Sequence, residues 1–166
     1  MAYVREPNQK GGFIDKTGKV VIAPQFDNTT GGFKEGFASV RIGDKRIFID
    51  KTGKQIINQQ FDETLWFSNG LVAVKLNGKW GVIDKSGKEV IPFKYERIGL
   101  YNEGLMSVRL DRKWGFIDKA GNIIIPLQFV YEEEPLSPPV FASNGRAQVE
   151  KDDRYIVIDK TGKEVQ

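Results

Sequence analysis

A chain of 166 residues, 40% hydrophobic and 28% charged, is long enough to bury a sizeable core and has the balance of an ordinary globular domain. It contains neither cysteine nor histidine, which excludes disulfides, thiolate metal sites, the usual zinc ligand and the commonest general base. The net charge of +3 does not point to nucleic acid, because one lysine recurs at each predicted turn (Lys16, Lys51, Lys85, Lys119, Lys160) instead of forming a basic stripe.

No apolar run approaches the roughly 18 residues of a membrane-spanning helix, so no membrane span is expected. The opening Met1-Ala2-Tyr3-Val4-Arg5-Glu6-Pro7 lacks the apolar core of a signal peptide. If complete, the chain is expected in the cytoplasm; if trimmed, its compartment stays open.

Taken in order, the chain repeats itself. Tyr3-Val4-Arg5 stands where a final strand ends, as Ser107-Val108-Arg109 does before Trp114. Ile14-Asp15 then opens a series continued by Ile49-Asp50, Ile83-Asp84, Ile117-Asp118 and Ile158-Asp159, spaced 35, 34, 34 and 41 residues apart. Such a period announces tandem supersecondary units.

The cleanest copy covers residues 80–113. Trp80-Gly81-Val82-Ile83-Asp84 predicts a short strand of β-branched and aromatic residues. Asp84-Lys85-Ser86-Gly87-Lys88 predicts a hairpin turn, whose carboxylate accepts from amides two or three residues on while Gly87 supplies φ > 0. The same turn is expected at Asp15 and Gly18, Asp50 and Gly53, Asp118 and Gly121, and Asp159 and Gly162. Glu89-Val90-Ile91-Pro92 predicts the return strand, with proline at its end or on an edge. A third short segment, 95–101, leads through Glu103-Gly104 into Leu105-Met106-Ser107-Val108-Arg109-Leu110. There Met106, Val108 and Leu110 share the parity expected to be buried.

Spacing is kept more tightly than identity. Eleven residues separate the aspartate from the following aromatic in Asp15–Phe26, Asp50–Phe61, Asp84–Tyr95 and Asp118–Phe129. Glycine to valine is always four: Gly36–Val40, Gly70–Val74, Gly104–Val108 and Gly145–Val149. Fixed lengths are what stacked sheets demand, because a one-residue slip turns an apolar face to water. The fourth copy alone is longer. Its extra Tyr131-Glu132-Glu133-Glu134-Pro135-Leu136-Ser137-Pro138-Pro139 predicts an exposed, partly stiff acidic loop.

The pattern G-K-W-G-x-I-D-K-x-G-K-x-V-I-P, followed by an aromatic and then E-G-L-x-x-V, resembles the WG (or KWG) repeat family, found chiefly in bacteria. The resemblance spans essentially the whole chain and is strongest in the copies beginning at Trp80 and Trp114. Gly11-Gly12, Arg46-Ile47 and Tyr155-Ile156 stand at the Trp-Gly positions elsewhere, and Asn58 replaces the proline of the second copy. The resemblance implies tandem β-repeats used as interaction modules, with no common catalytic residues.

The expected fold is therefore all-β: five tandem antiparallel units of about 34 residues. They run over residues 11–45, 46–79, 80–113 and 114–154, with 155–166 completed by 1–10. A closed propeller-like ring accounts for the split fifth unit, through pairing of residues 2–5 with 154–165; an open β-solenoid is the alternative.

Chemistry is harder to find than structure. The five turn aspartates stand singly, each followed by lysine, which does not make a calcium loop. Gly53-Lys54 and Gly78-Lys79 lack the helix that a phosphate loop needs. Thr17, Thr52, Ser86 and Thr161 have no base to activate them. The expectation is a non-enzymatic binding scaffold without cofactor or metal, addressed to a protein partner. Its candidate binding residues are Trp66, whose equivalents are Gly32, Leu100 and Val140, together with Glu132, Glu133, Glu134, Leu136 and Pro138 of the long loop. The alternative is a carbohydrate- or cell-wall-binding module using Phe33, Phe67, Tyr101 and Phe141 as stacking platforms. A third possibility, an enzyme, rests on scattered carboxylates such as Glu35 and Glu103.

Overall fold

Short β-branched runs broken by two-residue turns leave no stretch with a helical period. Every regular element in this computed structural model, which describes residues 1–7, 9–131 and 137–165, is a strand. Strands β1 (Ala2–Val4), β2 (Gly11–Ile14) and β3 (Val20–Phe26) form a sheet in that order. Next come β4 (Asn28–Lys34), β5 (Phe37–Ile42) and β6 (Lys45–Ile49), also in sequence order. Then β7 (Glu63–Thr64), β8 (Leu71–Leu76), β9 (Lys79–Asp84) and β10 (Glu89–Tyr95) make a four-stranded sheet, as do β11 (Arg97–Ile98), β12 (Met106–Leu110), β13 (Lys113–Ile117) and β14 (Ile123–Phe129). Finally β15 (Arg146–Lys151) pairs with β16 (Arg154–Asp159).

The sheets are out of phase with the sequence repeat. Each joins the last strands of one copy to the first hairpin of the next, as when β12 pairs with β13 through Val108↔Gly115 and Leu110↔Lys113. Among the described residues the expected pairing of 2–5 with 154–165 is not seen. Ala2, Tyr3 and Val4 of β1 lie opposite Ile14, Phe13 and Gly12 of β2, and β16 takes β15 as its neighbour. The physical reason is local. A short connection brings β1 onto β2 at far less loop-closure cost than a partner more than a hundred residues away. Tyr3 is fixed there by its hydroxyl, which donates to the Phe26 carbonyl at 3.1 Å.

Packing divides the chain into two compact units, Met1–Gly78 with Val82–Glu89, and Lys79–Gly81 with Val90–Gln166. In the first, Phe13, Ile22 and Phe26 of β2–β3 share a core with Ala38, Val40, Ile47 and Ile49 of β5–β6. The opposite face of β5–β6 is covered too. Ser39 and Thr64 hydroxyls meet at 2.5 Å, and the Phe48 ring stands 5.1 Å from Phe67. In the second unit Trp114, Phe116, Ile125 and Phe129 pack on Ala147, Val149, Ile156 and Ile158. The parity expectation for β12 is corrected in the same way. Leu105, Met106, Ser107 and Val108 are all buried, whereas Leu110 is only partly so; a strand covered on both faces has no solvent side to alternate with.

The turns tie neighbouring copies together. A Cβ placed on Gly53 would lie 3.1 Å from Ile22, and one on Gly87 would lie 2.9 Å from Ile57. Gly121 and Gly162 meet Ile91 and Ile125 in the same way, at 3.3 and 3.0 Å. Each of these four turns is thus seated on the return-segment isoleucine of the copy before it, whereas nothing lies within 4 Å of a Cβ on Gly18. Gly87 also holds φ at +86°, a region that strains any β-branched residue. Gly87→Val is therefore expected to cost roughly 1–3 kcal/mol. A urea denaturation midpoint equal to wild type would refute both the strain and the seating.

Candidate functional site

The repeated aspartates are consumed by their own turns. The Asp15 carboxylate accepts from the Thr17 hydroxyl at 2.6 Å and from the Thr17 and Lys19 amides at 2.8 and 3.1 Å. Asp50, Asp84 and Asp159 repeat the pattern with Thr52, Ser86 and Thr161. Asp118 instead takes the Asn122 side-chain amide at 2.8 Å. These side-chain hydrogen bonds, assisted by the backbone donors, hold all five carboxyls below the usual aspartate range. Gly18, Gly53, Gly87, Gly121 and Gly162 close the turns at φ between +84° and +88°, as the sequence predicts.

A second carboxylate series escaped sequence reasoning. Asp27, Asp62 and Glu96 follow the aromatics Phe26, Phe61 and Tyr95, and each accepts an amide from a hairpin turn, Gly43 at 2.7 Å, Gly78 at 2.9 Å and Arg112 at 3.3 Å. Lys10 and Lys45 bond to the first two, and those lysine bonds are the main cause lowering the Asp27 and Asp62 pKa values. The available signal was an acid directly after the aromatic, three times in four. Glu35 and Glu103 are likewise engaged, with Lys85 and Lys160 each at 2.9 Å.

The four spaced aromatics do not form an open row. Phe67 and Phe141 are 3% and 1% exposed, Phe33 is half-buried with its ring 4.9 Å from Phe13, and Tyr101 is half-buried. Stacking platforms need one free face, which packing denies to Phe67 and Phe141. Glu132, Glu133, Glu134 and Leu136 lie outside the described residues. Pro138 is half-buried, with its Cβ 3.1 Å from where a Cβ on Gly99 would stand.

Trp66 behaves differently. At 38% exposed it contrasts with Trp80 at 9% and Trp114 at 1%, although Thr64 and Phe67 on either side of it are buried. Its neighbours are anchored while its own ring is turned outward. A Cβ on Gly31 would lie 3.9 Å from Trp66 Cε3, so the ring rests beside bare glycine backbone. Gly31 and Gly32 both take φ +71°, and the ladder between β4 and β5 slips between Thr30 and Lys34. This slip absorbs the extra residue of the first copy, in which seven residues separate Phe26 from Phe33 against six for Phe61–Phe67 and Tyr95–Tyr101.

Next to Gly31, the Thr30 hydroxyl accepts from Arg46 Nη1 at 2.6 Å. Arg46 occupies the position of Trp80 and Trp114, and Arg41 lies directly opposite it on β5. Burial, then the Arg41 charge, lowers the Arg46 pKa, with Glu63 opposing. The inserted glycine, Arg46 and Trp66 are three departures from the repeat. Arg46 and Trp66 each reach the same short stretch of β4, at Thr30 and Gly31. Only Trp66 was singled out from the sequence.

A family model described as a WG containing repeat matches residues 12–45, 48–80, 80–114 and 114–131. No curated protein matches the chain. Among solved structures, it is similar to a protein of unknown function from Bacteroides caccae, at 14% identity and a TM-score of 0.43, covering 99% of this chain and 70% of that one.

Proposed function

The chain belongs to the family of WG-containing repeat proteins, and from that premise we propose a non-enzymatic binding module that offers its Trp66–Arg46 surface to a protein partner. The convergence of three departures from the repeat carries the proposal. Tryptophan and arginine are the side chains most often dominant in protein recognition, and anchored neighbours at Thr64 and Phe67 spare Trp66 much of the ordering cost of binding. Selection of displayed peptides on wild type and on Trp66→Ala tests it. Peptides that bind wild type and lose affinity for a variant of unchanged melting temperature are the expected result. An exposed indole also suits a sugar ring, so a carbohydrate-binding module is the second proposal. Oligosaccharides that bind in a Trp66-dependent way, with no peptide selected, would put it first.

For the architecture, an open nearest-neighbour array is favoured over the propeller-like ring. Its support is the β1–β2 pairing and the seating of four turns on the preceding isoleucine, with nothing within 4 Å at the first, Gly18. Deleting residues 1–8 is then expected to strip hydrogen-exchange protection from β2 and β3 alone. Loss of protection in every sheet at once would favour the ring.

A further inference from the structure

We infer that the Trp66–Arg46 surface binds an extended acidic peptide, with a carboxylate held by Arg41 and Arg46 and a neighbouring side chain laid against the Trp66 ring. This rests on the proposed protein-binding role and supplies the chemistry of its partner.

Charge comes first. Arg41 and Arg46 are direct cross-strand neighbours, and like charges so placed repel. Among the described residues Arg46 has no carboxylate within ion-pair distance; its hydrogen bond goes to the neutral Thr30 hydroxyl. A guanidinium carries five donors in a planar fork, so most of them stay open to solvent or to a ligand. Arg41 donates from Nε to the Gly43 carbonyl at 2.7 Å, and its nearest acid, the fully exposed Asp44, is 3.9 Å away. Glu63 and Asp27 offset part of this charge from a distance, but each is bonded to a lysine of its own; two adjacent forks suit a carboxylate, which each can grip through paired N–H···O bonds.

Backbone geometry separates a peptide from an acidic glycan. β4 stands at the edge of its sheet, and its ladder with β5 skips residues 31–33. Nothing lies within 4 Å of where a Cβ on Gly32 would stand. Main-chain groups in such a lane can take an extended chain by strand addition. Side chains alternate along that chain, so one carboxylate and one planar group on the same face match the arginine pair and the indole.

The test uses the intact chain and three probes: a labelled hexapeptide alternating glutamate and tyrosine, its glutamine counterpart, and an oligomer of galacturonate. Trp66 is the one tryptophan well exposed, so a shift in indole emission reports on this site, and anisotropy gives the affinity. The acidic peptide is expected to bind, to weaken with salt, and to lose about tenfold or more in affinity in Arg46→Gln and Arg41→Gln. Arg41 is 48% exposed along its side chain, so its variant keeps the test valid should Arg46→Gln misfold. Equal binding of the glutamine peptide would overturn the acidic preference and leave the protein-binding module standing. Galacturonate binding that depends on Arg46 and Trp66, with neither peptide bound, would overturn both. Failure of the acidic peptide to bind at all would overturn the inference alone.

Discussion

Replacing Gly115 by alanine is expected to lower stability by roughly 3 kcal/mol, near the upper end for a single substitution. A Cβ there would stand 2.7 Å from the Ile125 carbonyl oxygen, 2.8 Å from that of Pro126 and 2.9 Å from the Leu127 nitrogen. All three are backbone atoms and cannot swing aside as a side chain would. The approach arises where the β13–β14 register shifts between Trp114 and Phe116, which drives the middle residue of the strand onto its neighbour. Gly81 and Gly12 meet backbone in the same way, at 2.8 Å from the Ile91 oxygen and 2.3 Å from the Ile22 oxygen. The glycine of the Trp-Gly pair therefore answers a demand for space. The second copy supplies the contrast. Ile47 stands in that position, and the return segment makes only isolated bridges, Arg46↔Phe61 and Ile49↔Gln55, in place of a continuous strand. Gly104→Ala is the control, since its φ of +90° carries strain but nothing lies within 4 Å; about 1 kcal/mol is expected there. Urea denaturation of both variants decides, and equal losses would show that space at Gly115 is not limiting.

Acid is expected to unfold the protein over a narrow range, with stability level from about pH 8 to pH 5 and falling below about pH 4. The sign follows from the turn aspartates together with Asp27 and Asp62. Their folded pKa values lie below the ordinary one because hydroxyl, amide and lysine donors bond to the charged form. A depressed folded pKa contributes stability that is complete above the unfolded value. That contribution disappears as pH falls through the folded value. Glu35 adds to the same loss through its bond to Lys85. With no histidine in the chain, no side chain of ordinary pKa titrates between pH 5 and 8. Melting temperatures from pH 2.5 to 8 would check this, alongside a double Asp50→Asn, Asp84→Asn variant expected to show a shallower acid limb. A steep decline between pH 7 and 5 would mean that some other group governs stability.

The local features were legible because a few consecutive residues create them. An aspartate three residues before a glycine makes its own turn, whatever lies around it. β-branched alternation makes strands of β9 and β13, and the 34-residue recurrence makes tandem units of them. Residues alone therefore determined an all-β chain of tandem repeats, the placing of its turns and the absence of a catalytic histidine or cysteine. Tertiary structure decided what depends on neighbours distant in the chain. Sheet boundaries fell across the repeats because β12 finds β13 through a two-residue turn, a nearer partner than the strands of its own copy. Phe33, Phe67, Tyr101 and Phe141 have the spacing of a binding row, but packing buried Phe67 and Phe141 and half-buried Phe33 and Tyr101. Arg46 and Trp66, twenty residues apart in sequence, both border β4 at Thr30 and Gly31, and the strand leading to Trp66 is pinned across β5 and β6 by Ser39–Thr64 and Phe48–Phe67. Sequence distance carries no information about such a meeting; the stacking of one sheet upon the next creates it.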